Sequence, residues 1–338
     1  MTPPTGPAPL DGVDVVLADL DGVVYAGHHA IPHAVEALGA VAASGRRLGY
    51  LTNNASRTPD TVAAQLRELG LSAEPADIVS SPQAAVVLLA GLVPAGATVL
   101  VVGGEGLVAE VEGAGFRVTR SADDAPAAVV QGFAPQVAWT DLAEAAFALA
   151  GGDAGIPWVA TNTDWTIPQA RGTAPGNGTL VSAVHTAVGR LPVVAGKPER
   201  ALFDVAVARF GARHPLFVGD RLDTDILGAR RAGMPSALVL TGIDGPKQLL
   251  AAAADSRPDF VLEDLRGLSE PYPATEDSRD IAGVRRVRVG TSVVRHRGSA
   301  LTLETAGSRI DTIRAAAAAV WGAGVAIHAL EVAPELYS

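Results

Sequence analysis

The chain contains no cysteine, and this absence removes several classes of chemistry. Disulfide bonds, thiol nucleophiles and thiolate metal sites are all excluded. Aromatic residues make up only 4% of the sequence, whereas hydrophobic residues make up 48%. A chain of 338 residues with this composition must build its core mainly from alanine, valine and leucine, and two domains are expected rather than one.

Positive charge is also scarce, and the formal net charge is -10. This balance argues against nucleic-acid binding and leaves no polybasic patch for a membrane surface. An anionic substrate would therefore need a metal ion or a few cations to reverse the local field.

Long uninterrupted apolar runs are missing as well. Residues 84–102 are interrupted by glycine and proline, and the apolar stretch over residues 315–330 is short. Neither is expected to span a membrane. Residues 1–10 lack the basic and apolar regions of a signal peptide, so we expect a cytoplasmic protein.

The most informative stretch that is present reads Asp19-Leu20-Asp21-Gly22, directly after an apolar run. Residues two apart on a strand point to the same side, and two close carboxylates repel each other unless a cation lies between them. Gly22 allows a sharp turn beyond the carboxyl end of the strand, where open α/β sheets bind their ligands. The stretch predicts a metal site with a carboxylate nucleophile; the alternative is an acidic turn.

Predicted strands and helices alternate along most of the chain, which favours an α/β fold with a parallel sheet. Apolar runs predict strands over residues 13–17, 48–51, 98–102, 129–130, 158–160, 216–218, 237–240 and 260–262. Helical spacing and helix-end signals predict helices over residues 35–41, 59–69, 107–111, 142–149, 180–188, 198–210 and 225–231.

The last part of the chain has a different pattern. Residues 268–280 are rich in proline, serine and acidic residues and predict a linker. Beyond it we expect a small α+β appendage with a hairpin of residues 284–295 and 300–304, a helix over residues 310–320 and a last strand over residues 325–332.

Four stretches place polar groups at the carboxyl ends of predicted strands: Asp19 with Asp21, Thr52 with Asn53, Lys197, and Asp220 with Asp225. A carboxylate nucleophile, hydroxyl and amide donors and a cation suit phosphoryl transfer, and Asp220 could complete an oxygen-rich Mg²⁺ site. Lys197 is one of only two lysines, which suggests a need for a compact ammonium charge.

These stretches resemble the haloacid dehalogenase superfamily of aspartyl-phosphate phosphatases. Its four motifs match, in order, Asp19-Leu20-Asp21-Gly22, Leu51-Thr52-Asn53-Asn54, Gly196-Lys197-Pro198 and the heptapeptide Gly219 to Asp225. The long segment between the second and third motifs resembles the large α/β cap of the NagD-like class IIA branch. Within that branch the similarity looks strongest to glycerol-3-phosphate and phosphoglycolate phosphatases.

The resemblance implies an α/β architecture with three parts. A Rossmann-like core with a parallel sheet would comprise residues 1–79 and 189–267. An α/β cap that sets substrate specificity would comprise residues 80–188, inserted between the second and third motifs. The linker, residues 268–280, would lead to the C-terminal α+β appendage, residues 281–338.

The resemblance also assigns chemical roles to the first and fourth motifs. Asp19 would attack phosphorus, and Asp21 would protonate the leaving group and later activate water. Mg²⁺ would be held by Asp19, by the main-chain carbonyl of Asp21 and by Asp220. Asp225 would orient the waters of the metal or Lys197, and it could also be a carboxylate favoured by a helix N-terminus.

The remaining roles concern binding of the phosphate and of the substrate. Thr52, Asn53 and Lys197 would hold the phosphoryl oxygens. Asn54 would line the entrance to the site. Asn162 and Asp164, at the end of a predicted cap strand, would contact the substrate, although a plain turn is an equal alternative.

Weaker signals point to surface groups. The three histidines His28, His29 and His33 lack partner carboxylates at ligand spacing, and Arg171 is expected in a solvated loop. Residues 295–300 fit the RxxGxA pattern of acyl-CoA binding in acetyltransferases, but a strand is predicted after them, which favours a structural or oligomerising appendage.

The sequence therefore predicts a Mg²⁺-dependent, cytoplasmic hydrolase of small phosphorylated metabolites, with glycerol 3-phosphate or phosphoglycolate as the expected substrate. No nucleic-acid partner and no membrane insertion are expected, and a homo-oligomer is left open. The alternative is a regulatory protein that senses a phosphorylated metabolite and carries its function in the C-terminal appendage.

Overall fold

A computed structural model of the chain describes residues 5–151, 155–169 and 171–338. The chain divides into two compact units. The first unit contains the described residues up to Leu48 together with Ala212–Ser338, and the second contains Gly49–Gly211. Ala170, in the glycine-rich loop that contains Arg171, lies outside the described residues.

The described part of the chain contains strands of two to six residues. In chain order they are β1 (Val15–Asp19), β2 (Tyr25–Ala26), β3 (His29–Ala30), β4 (Arg47–Thr52), β5 (Ile78–Ser80), β6 (Thr98–Val102), β7 (Arg117–Thr119), β8 (Ala128–Gln131), β9 (Trp158–Ala160), β10 (Thr166–Gln169), β11 (Gly172–Pro175), β12 (Val193–Val194), β13 (Pro215–Gly219), β14 (Ser236–Val239), β15 (Phe260–Leu262), β16 (Thr275–Arg279), β17 (Arg285–Val289), β18 (Ser292–Arg297), β19 (Ala300–Thr305) and β20 (Glu331–Val332).

The helices alternate with these strands up to β15. They are α1 (Ala34–Ala43), α2 (Pro59–Glu68), α3 (Ser81–Leu92), α4 (Glu105–Gly113), α5 (Trp139–Ala148), α6 (Asn177–Val188), α7 (Arg200–Phe210), α8 (Leu227–Arg231), α9 (Pro246–Leu250) and α10 (Arg309–Trp321). A π-helical turn, Leu222–Ile226, precedes α8. Short 3-10 turns lie at Pro75–Asp77, Ala122–Asp124, Ala254–Ser256, Leu265–Leu268, Ile327–Ala329 and Pro334–Leu336.

The first unit contains parallel strands in the order β15-β14-β13-β1. All five residues of β1 are buried, as expected for a parallel strand covered on both faces. The register pairs Ala18 of β1 with Val218 of β13. Because the two strands are parallel neighbours, Asp19 at the end of β1 and Asp220 directly after β13 emerge at the same edge of the sheet.

The second unit contains a parallel sheet in the order β12-β9-β8-β6-β7 and a parallel pair of β4 with β5. The α/β fold with parallel sheets predicted from the sequence is confirmed in both units. The start of α2 also agrees with the sequence signals: Pro59 is its first residue, and the Thr58 hydroxyl accepts a hydrogen bond from the Thr61 N–H.

The C-terminal residues of the first unit form an antiparallel meander, β16 to β19, with β20 parallel to β19. The predicted helix over residues 310–320 is confirmed as α10, which packs on β17 and β18. The predicted hairpin strand over residues 284–295 is divided at Gly290, whose φ of 55° makes a turn there. Residues 275–279, from the segment predicted as a linker, form the edge strand β16.

The predicted last strand over residues 325–332 is wrong for most of its length. Residues 327–329 make a 3-10 turn, and only Glu331–Val332 pair with a neighbouring strand. The alternation of apolar residues there reflects packing of single side chains such as Ile327 and Leu330 against the hydrophobic core, and not a regular strand.

A buried arginine fastens β16 and β17 to the end of α10. The Arg285 guanidinium pairs with the Asp277 carboxylate of β16, and it also donates to the carbonyls of Ala318 and Ala319 in the last turn of α10. A cation at a helix C-terminus satisfies carbonyls that have no partner within the helix. This arrangement explains why residues of the predicted linker are held in the sheet.

In the described part of the chain, no helix is both long and apolar enough to cross a membrane. The apolar stretch over residues 84–102 is divided between the end of α3 and strand β6.

Candidate active site

Three buried carboxylates of the first unit converge at the carboxyl ends of β1 and β13. Asp19, Asp220 and Asp225 each offer an oxygen, and these oxygens lie within 4.8 Å of one another. The three residues are 9%, 1% and 0% exposed. Buried carboxylates this close repel each other, and hard oxygen ligands are the donor set that Mg²⁺ prefers, so these residues fit a Mg²⁺ ion.

Asp225 supports the loop that carries Asp220. Its Oδ2 atom accepts hydrogen bonds from the main-chain N–H groups of Asp220 and Arg221, both at 3.1 Å. The carboxylate comes from the π-helical turn before α8. Asp225 is therefore both a member of the carboxylate cluster and the residue that fixes the strand-to-helix loop around it.

Asp21 lies in a different environment from Asp19. Strand β1 ends at Asp19, so Asp21 belongs to the following loop, where the Gly22 N–H donates to the Tyr25 carbonyl at 2.8 Å. Asp21 is exposed, whereas Asp19 is buried. The loop therefore places a buried carboxylate and a solvent-accessible carboxylate within three residues of each other.

Two glycines make room for the Asp220 side chain. Gly22 has a φ of 82°, and a Cβ atom added to it would overlap the Asp220 carboxylate. A Cβ atom at Gly242 would overlap the same carboxylate. Sequence reasoning identified Gly22 but missed Gly242, although a glycine two residues after the predicted strand 237–240 was the available signal.

The loop after β14 completes the surroundings of Asp220. The Ile243 N–H donates to Asp220 Oδ2 at 2.7 Å, and the Thr241 hydroxyl donates to the Gly22 carbonyl at 2.7 Å. The Asp244 carboxylate accepts from the Leu222 N–H at 2.7 Å. Burial raises the pKa of Asp244, and the hydrogen bond from Leu222 opposes this effect. None of these three loop residues was predicted from the sequence.

In the second unit, the side chain of Asn53 holds the main chain of Lys197. Asn53 Oδ1 accepts from the Lys197 N–H at 2.8 Å, and Asn53 Nδ2 donates to the Lys197 carbonyl at 3.1 Å. The same Nδ2 group lies 3.2 Å from each oxygen of the Asp164 carboxylate. The predicted phosphate-binding amide of Asn53 is therefore used for internal contacts.

Lys197 itself is buried, at 4% exposure. The residue before it must be a glycine, because a Cβ atom at Gly196 would lie 2.5 Å from both Asn53 Oδ1 and the Thr161 carbonyl. A lysine side chain supplies a compact ammonium charge, which suits recognition of a phosphate.

The other predicted residues of the second motif shape the loop after β4. The buried Thr52 hydroxyl accepts from the Asn54 N–H at 3.1 Å. Asn54 Oδ1 accepts from the N–H and the hydroxyl of Ser56, both at 2.9 Å, and from the Arg57 N–H at 3.3 Å. Asn54 thus closes a turn.

Asn162 is placed next to this loop. Its Nδ2 donates to the Asn53 carbonyl at 2.7 Å, and the Ser81 hydroxyl donates to the same carbonyl at 2.7 Å. Asn177 in turn donates to the Asn162 carbonyl at 2.7 Å. Asn162 is only 4% exposed, so the structure uses it for support of the loop. Ser81 and Asn177 were not identified from the sequence.

The side chains predicted to lie at the surface do so. His28, His29 and His33 are exposed, and Arg171 lies at the exposed turn between β10 and β11. Within the described residues, the only group of metal-ligating side chains that qualifies as a cluster is the one formed by Asp19, Asp220 and Asp225.

Parallel α/β units with carboxylates gathered at strand ends, and a buried lysine after another strand, are typical of enzymes that transfer phosphoryl groups. Comparison with known families supports this class. Residues 16–117 match a model described as haloacid dehalogenase-like hydrolase, and residues 194–268 match one described as HAD-hydrolase-like.

Two curated relatives extend the match over most of the chain. The D-glycerol 3-phosphate phosphatase of Mycobacterium tuberculosis is 44% identical over 321 residues, covering 93% of this chain and 87% of that protein. The glycerol-3-phosphate phosphatase of Gallus gallus is 35% identical over 302 residues, covering 81% of this chain and 95% of that protein.

Solved structures of phosphatases are also similar to this chain. A glycerol phosphate phosphatase from Mycobacterium tuberculosis, in complex with magnesium, aligns with a TM-score of 0.85 at 41% identity, covering 97% of this chain and 96% of that one. A p-nitrophenyl phosphatase from Archaeoglobus fulgidus aligns with a TM-score of 0.69 at 27% identity, covering 76% of this chain and 98% of that one.

The chain belongs to the haloacid dehalogenase-like hydrolases. The family predicted from the four motifs is confirmed, and so is the enzyme class, a phosphoric monoester hydrolase.

Proposed function

We propose that this chain hydrolyses glycerol 3-phosphate with Mg²⁺ as its cofactor, through an aspartyl-phosphate intermediate on Asp19. The observation that carries the proposal is the buried cluster of Asp19, Asp220 and Asp225, whose oxygens converge within 4.8 Å. The substrate is inferred from the names of the two relatives described above, both of which match most of this chain.

In the first step the Asp19 carboxylate attacks phosphorus and displaces the glycerol oxygen. Asp21 gives its proton to the leaving oxygen, so that glycerol departs as a neutral alcohol. In the second step Asp21 takes a proton from water, and the water oxygen attacks the phosphorus of the acyl phosphate. Inorganic phosphate leaves and the Asp19 carboxylate is restored. The exposed position of Asp21 suits a residue that must exchange protons with water.

Asp19, Asp220 and the main-chain carbonyl of Asp21 would hold Mg²⁺. When bound, the ion supplies positive charge that reduces the repulsion between an anionic nucleophile and an anionic phosphate. Asp225 keeps the Asp220 loop in place for this purpose through its two main-chain hydrogen bonds.

The phosphoryl oxygens are assigned to Thr52 and Lys197, one hydroxyl and one ammonium donor. Since the Asn53 side chain is engaged with Lys197, the contribution of Asn53 to phosphate binding is assigned to its main-chain N–H group. Asn162 is assigned to support of this loop through its bond to the Asn53 carbonyl.

The test is phosphate release from glycerol 3-phosphate, phosphoglycolate, pyridoxal phosphate and a nucleoside monophosphate, with and without Mg²⁺. We expect Mg²⁺-dependent release that is fastest with glycerol 3-phosphate and is abolished in Asp19→Asn. Asp255→Asn, an exposed carboxylate of the first unit, is the matched control and should keep full activity. Faster turnover of another ester would refute the substrate, and no turnover of any ester would refute the activity.

The finer predictions on organisation remain proposals. We keep the division into a core of residues 1–79 and 189–267, a cap of residues 80–188 and a C-terminal appendage. A cytoplasmic location and the oligomeric state are to be measured by cell fractionation and light scattering.

A further inference from the structure

We propose that Asp164 is a positioning residue of this enzyme: it fixes the side-chain amide of Asn53, and the amide in turn fixes the main chain of Lys197. The proposal rests on the proposed function for the role of Lys197 as the phosphate-binding cation. We call these three residues the lysine clamp.

The clamp joins three segments that are far apart in the sequence. Asn53 follows β4, Asp164 follows β9 and Lys197 follows β12. Asn53 is separated from Asp164 by 111 positions and from Lys197 by 144 positions. All three lie in the second unit, so the contacts belong to one compact body.

Asp164 favours the same orientation of the Asn53 amide as the Lys197 main chain, whose carbonyl also accepts from Asn53 Nδ2 at 3.1 Å. An ionised carboxylate can only accept hydrogen bonds, so the NH₂ end of the amide must point toward it. Both carboxylate oxygens lie 3.2 Å from Asn53 Nδ2. The oxygen end of the amide is thereby left for the Lys197 N–H, at 2.8 Å. Without the carboxylate, a flipped amide would place its NH₂ group against that N–H.

The surroundings hold both members of the pair in place. The Asp164 N–H donates to Asn162 Oδ1 at 3.2 Å, and Asn162 Nδ2 donates to the Asn53 carbonyl at 2.7 Å. The Asn53 amide packs closely against the lysine segment, because a Cβ atom at Gly196 would lie only 2.5 Å from Asn53 Oδ1. Asp164 thus gives the Asn53 amide a charged hydrogen-bond partner within a closely packed set of contacts.

Loss of the Asp164 charge should affect catalysis and phosphate binding rather than folding alone. For Asp164→Asn we expect kcat on glycerol 3-phosphate to fall about tenfold, and binding of inorganic phosphate, measured by calorimetry, to weaken by a similar factor. The matched control is Asp141→Asn. Asp141 lies in the same unit and accepts from the Ala138 N–H, and it should leave both quantities unchanged.

Exchanging the two residues, Asn53 for Asp and Asp164 for Asn, tests whether the loss of kcat in Asp164→Asn is transmitted through Asn53. Asn53→Asp places two carboxylates against each other and should lower kcat further than Asp164→Asn. The double variant N53D/D164N restores one donor and one acceptor in reversed order, so it should recover part of the lost kcat. Recovery of kcat per folded molecule is not expected from a residue that only stabilises the fold.

Two results would overturn the proposal. One is an Asp164→Asn enzyme with the kcat and phosphate affinity of Asp141→Asn, and the other is a double variant no more active than N53D. If Asp164→Asn does not fold, the kcat of N53D compared with that of the double variant decides whether Asp164 acts through Asn53. If the wild type releases no phosphate at all, the proposed function fails. The role of Asp164 in the lysine clamp is then tested by the affinity for inorganic phosphate of the wild type, Asp164→Asn and Asp141→Asn.

Discussion

At the scale of single residues, the carboxylate cluster depends on two glycines as much as on the carboxylates themselves. Gly22 and Gly242 lie on two different loops, and any Cβ atom at either position would overlap the Asp220 carboxylate. Asp220 also receives the Ile243 N–H on its Oδ2 atom. A carboxylate that is so closely surrounded has one available orientation, which is what a metal ligand needs.

Gly242→Ala should therefore weaken Mg²⁺ binding. The added methyl group would push Asp220 out of the cluster, and we expect the Mg²⁺ concentration for half-maximal activity to rise about tenfold or more. The measurement is phosphate release against Mg²⁺ concentration. Gly39→Ala is the control, because a Cβ atom at Gly39 in α1 meets nothing within 4 Å. An unchanged Mg²⁺ requirement in Gly242→Ala would contradict this account.

At the scale of elements, a half-buried acid links three helices of the second unit. Glu110 of α4 accepts from Gln83 of α3 at 3.0 Å, and Gln83 accepts from Arg209 of α7 at 2.9 Å. Burial raises the pKa of Glu110, and the hydrogen bond from Gln83 and the charge of Arg209 only partly oppose this. Burial also lowers the pKa of Arg209. These hydrogen bonds connect the three helices. The Glu110 carboxyl group, however, ionises more easily in the unfolded chain than in the folded one.

The sign of the resulting pH dependence follows from the raised pKa. An acid whose pKa is higher in the folded state favours folding only while it is protonated. Ionisation of Glu110 therefore lowers the free energy of unfolding as the pH rises from the usual glutamate pKa, about 4.3, through the raised pKa in the folded protein. Glu110→Gln keeps the hydrogen bond from Gln83 and removes the charge, so it should raise the free energy of unfolding at pH 7.

Urea unfolding at pH 4 and at pH 7 measures this effect. The gain from Glu110→Gln should be present at pH 7 and smaller at pH 4. Glu112→Gln, two positions away and exposed, should show no such difference. A Glu110→Gln variant that is less stable at pH 7 than the wild type would mean that the charge pair with Arg209 outweighs burial.

At the scale of the whole molecule, the C-terminal residues belong to the first compact unit and share its hydrophobic core. Side chains of α10, β17 and β18, among them Ile313 and Val287, share one hydrophobic cluster with Leu238 and Leu249. The Trp321 indole also donates to the Leu249 carbonyl at 3.2 Å. An appendage with this much shared core is expected to stabilise the unit that contains the carboxylate cluster.

Deletion of residues 275–338 should therefore lower the melting temperature and reduce solubility. The deletion exposes Leu249 and Leu238, which are fully buried in the intact chain. Differential scanning calorimetry of the two chains measures the change. A shortened chain with an unchanged melting temperature would show instead that the appendage is an independent module.

The sequence alone determined the family, the parallel α/β class, the enzyme class and the strand ends at which the polar side chains lie. These features depend on local patterns: apolar runs set the strands, helix-end signals set helices such as α2, and the four motifs are each continuous in the chain. Helix α3 was missed because most of its residues are apolar, so no polar face gives it a helical period.

Only the tertiary structure decided how the polar residues are used. The Asp164–Asn53 contact joins positions 111 apart, and the cluster around Asp220 needs a glycine and an N–H from a loop that follows another strand. In the same way, Arg285 holds residues of the predicted linker as a strand through contacts with α10. Such contacts are set by the packing of distant segments. The side chains of Asn53 and Asn162, predicted from the sequence as ligands, make hydrogen bonds to main-chain groups of distant segments, which sequence patterns do not show.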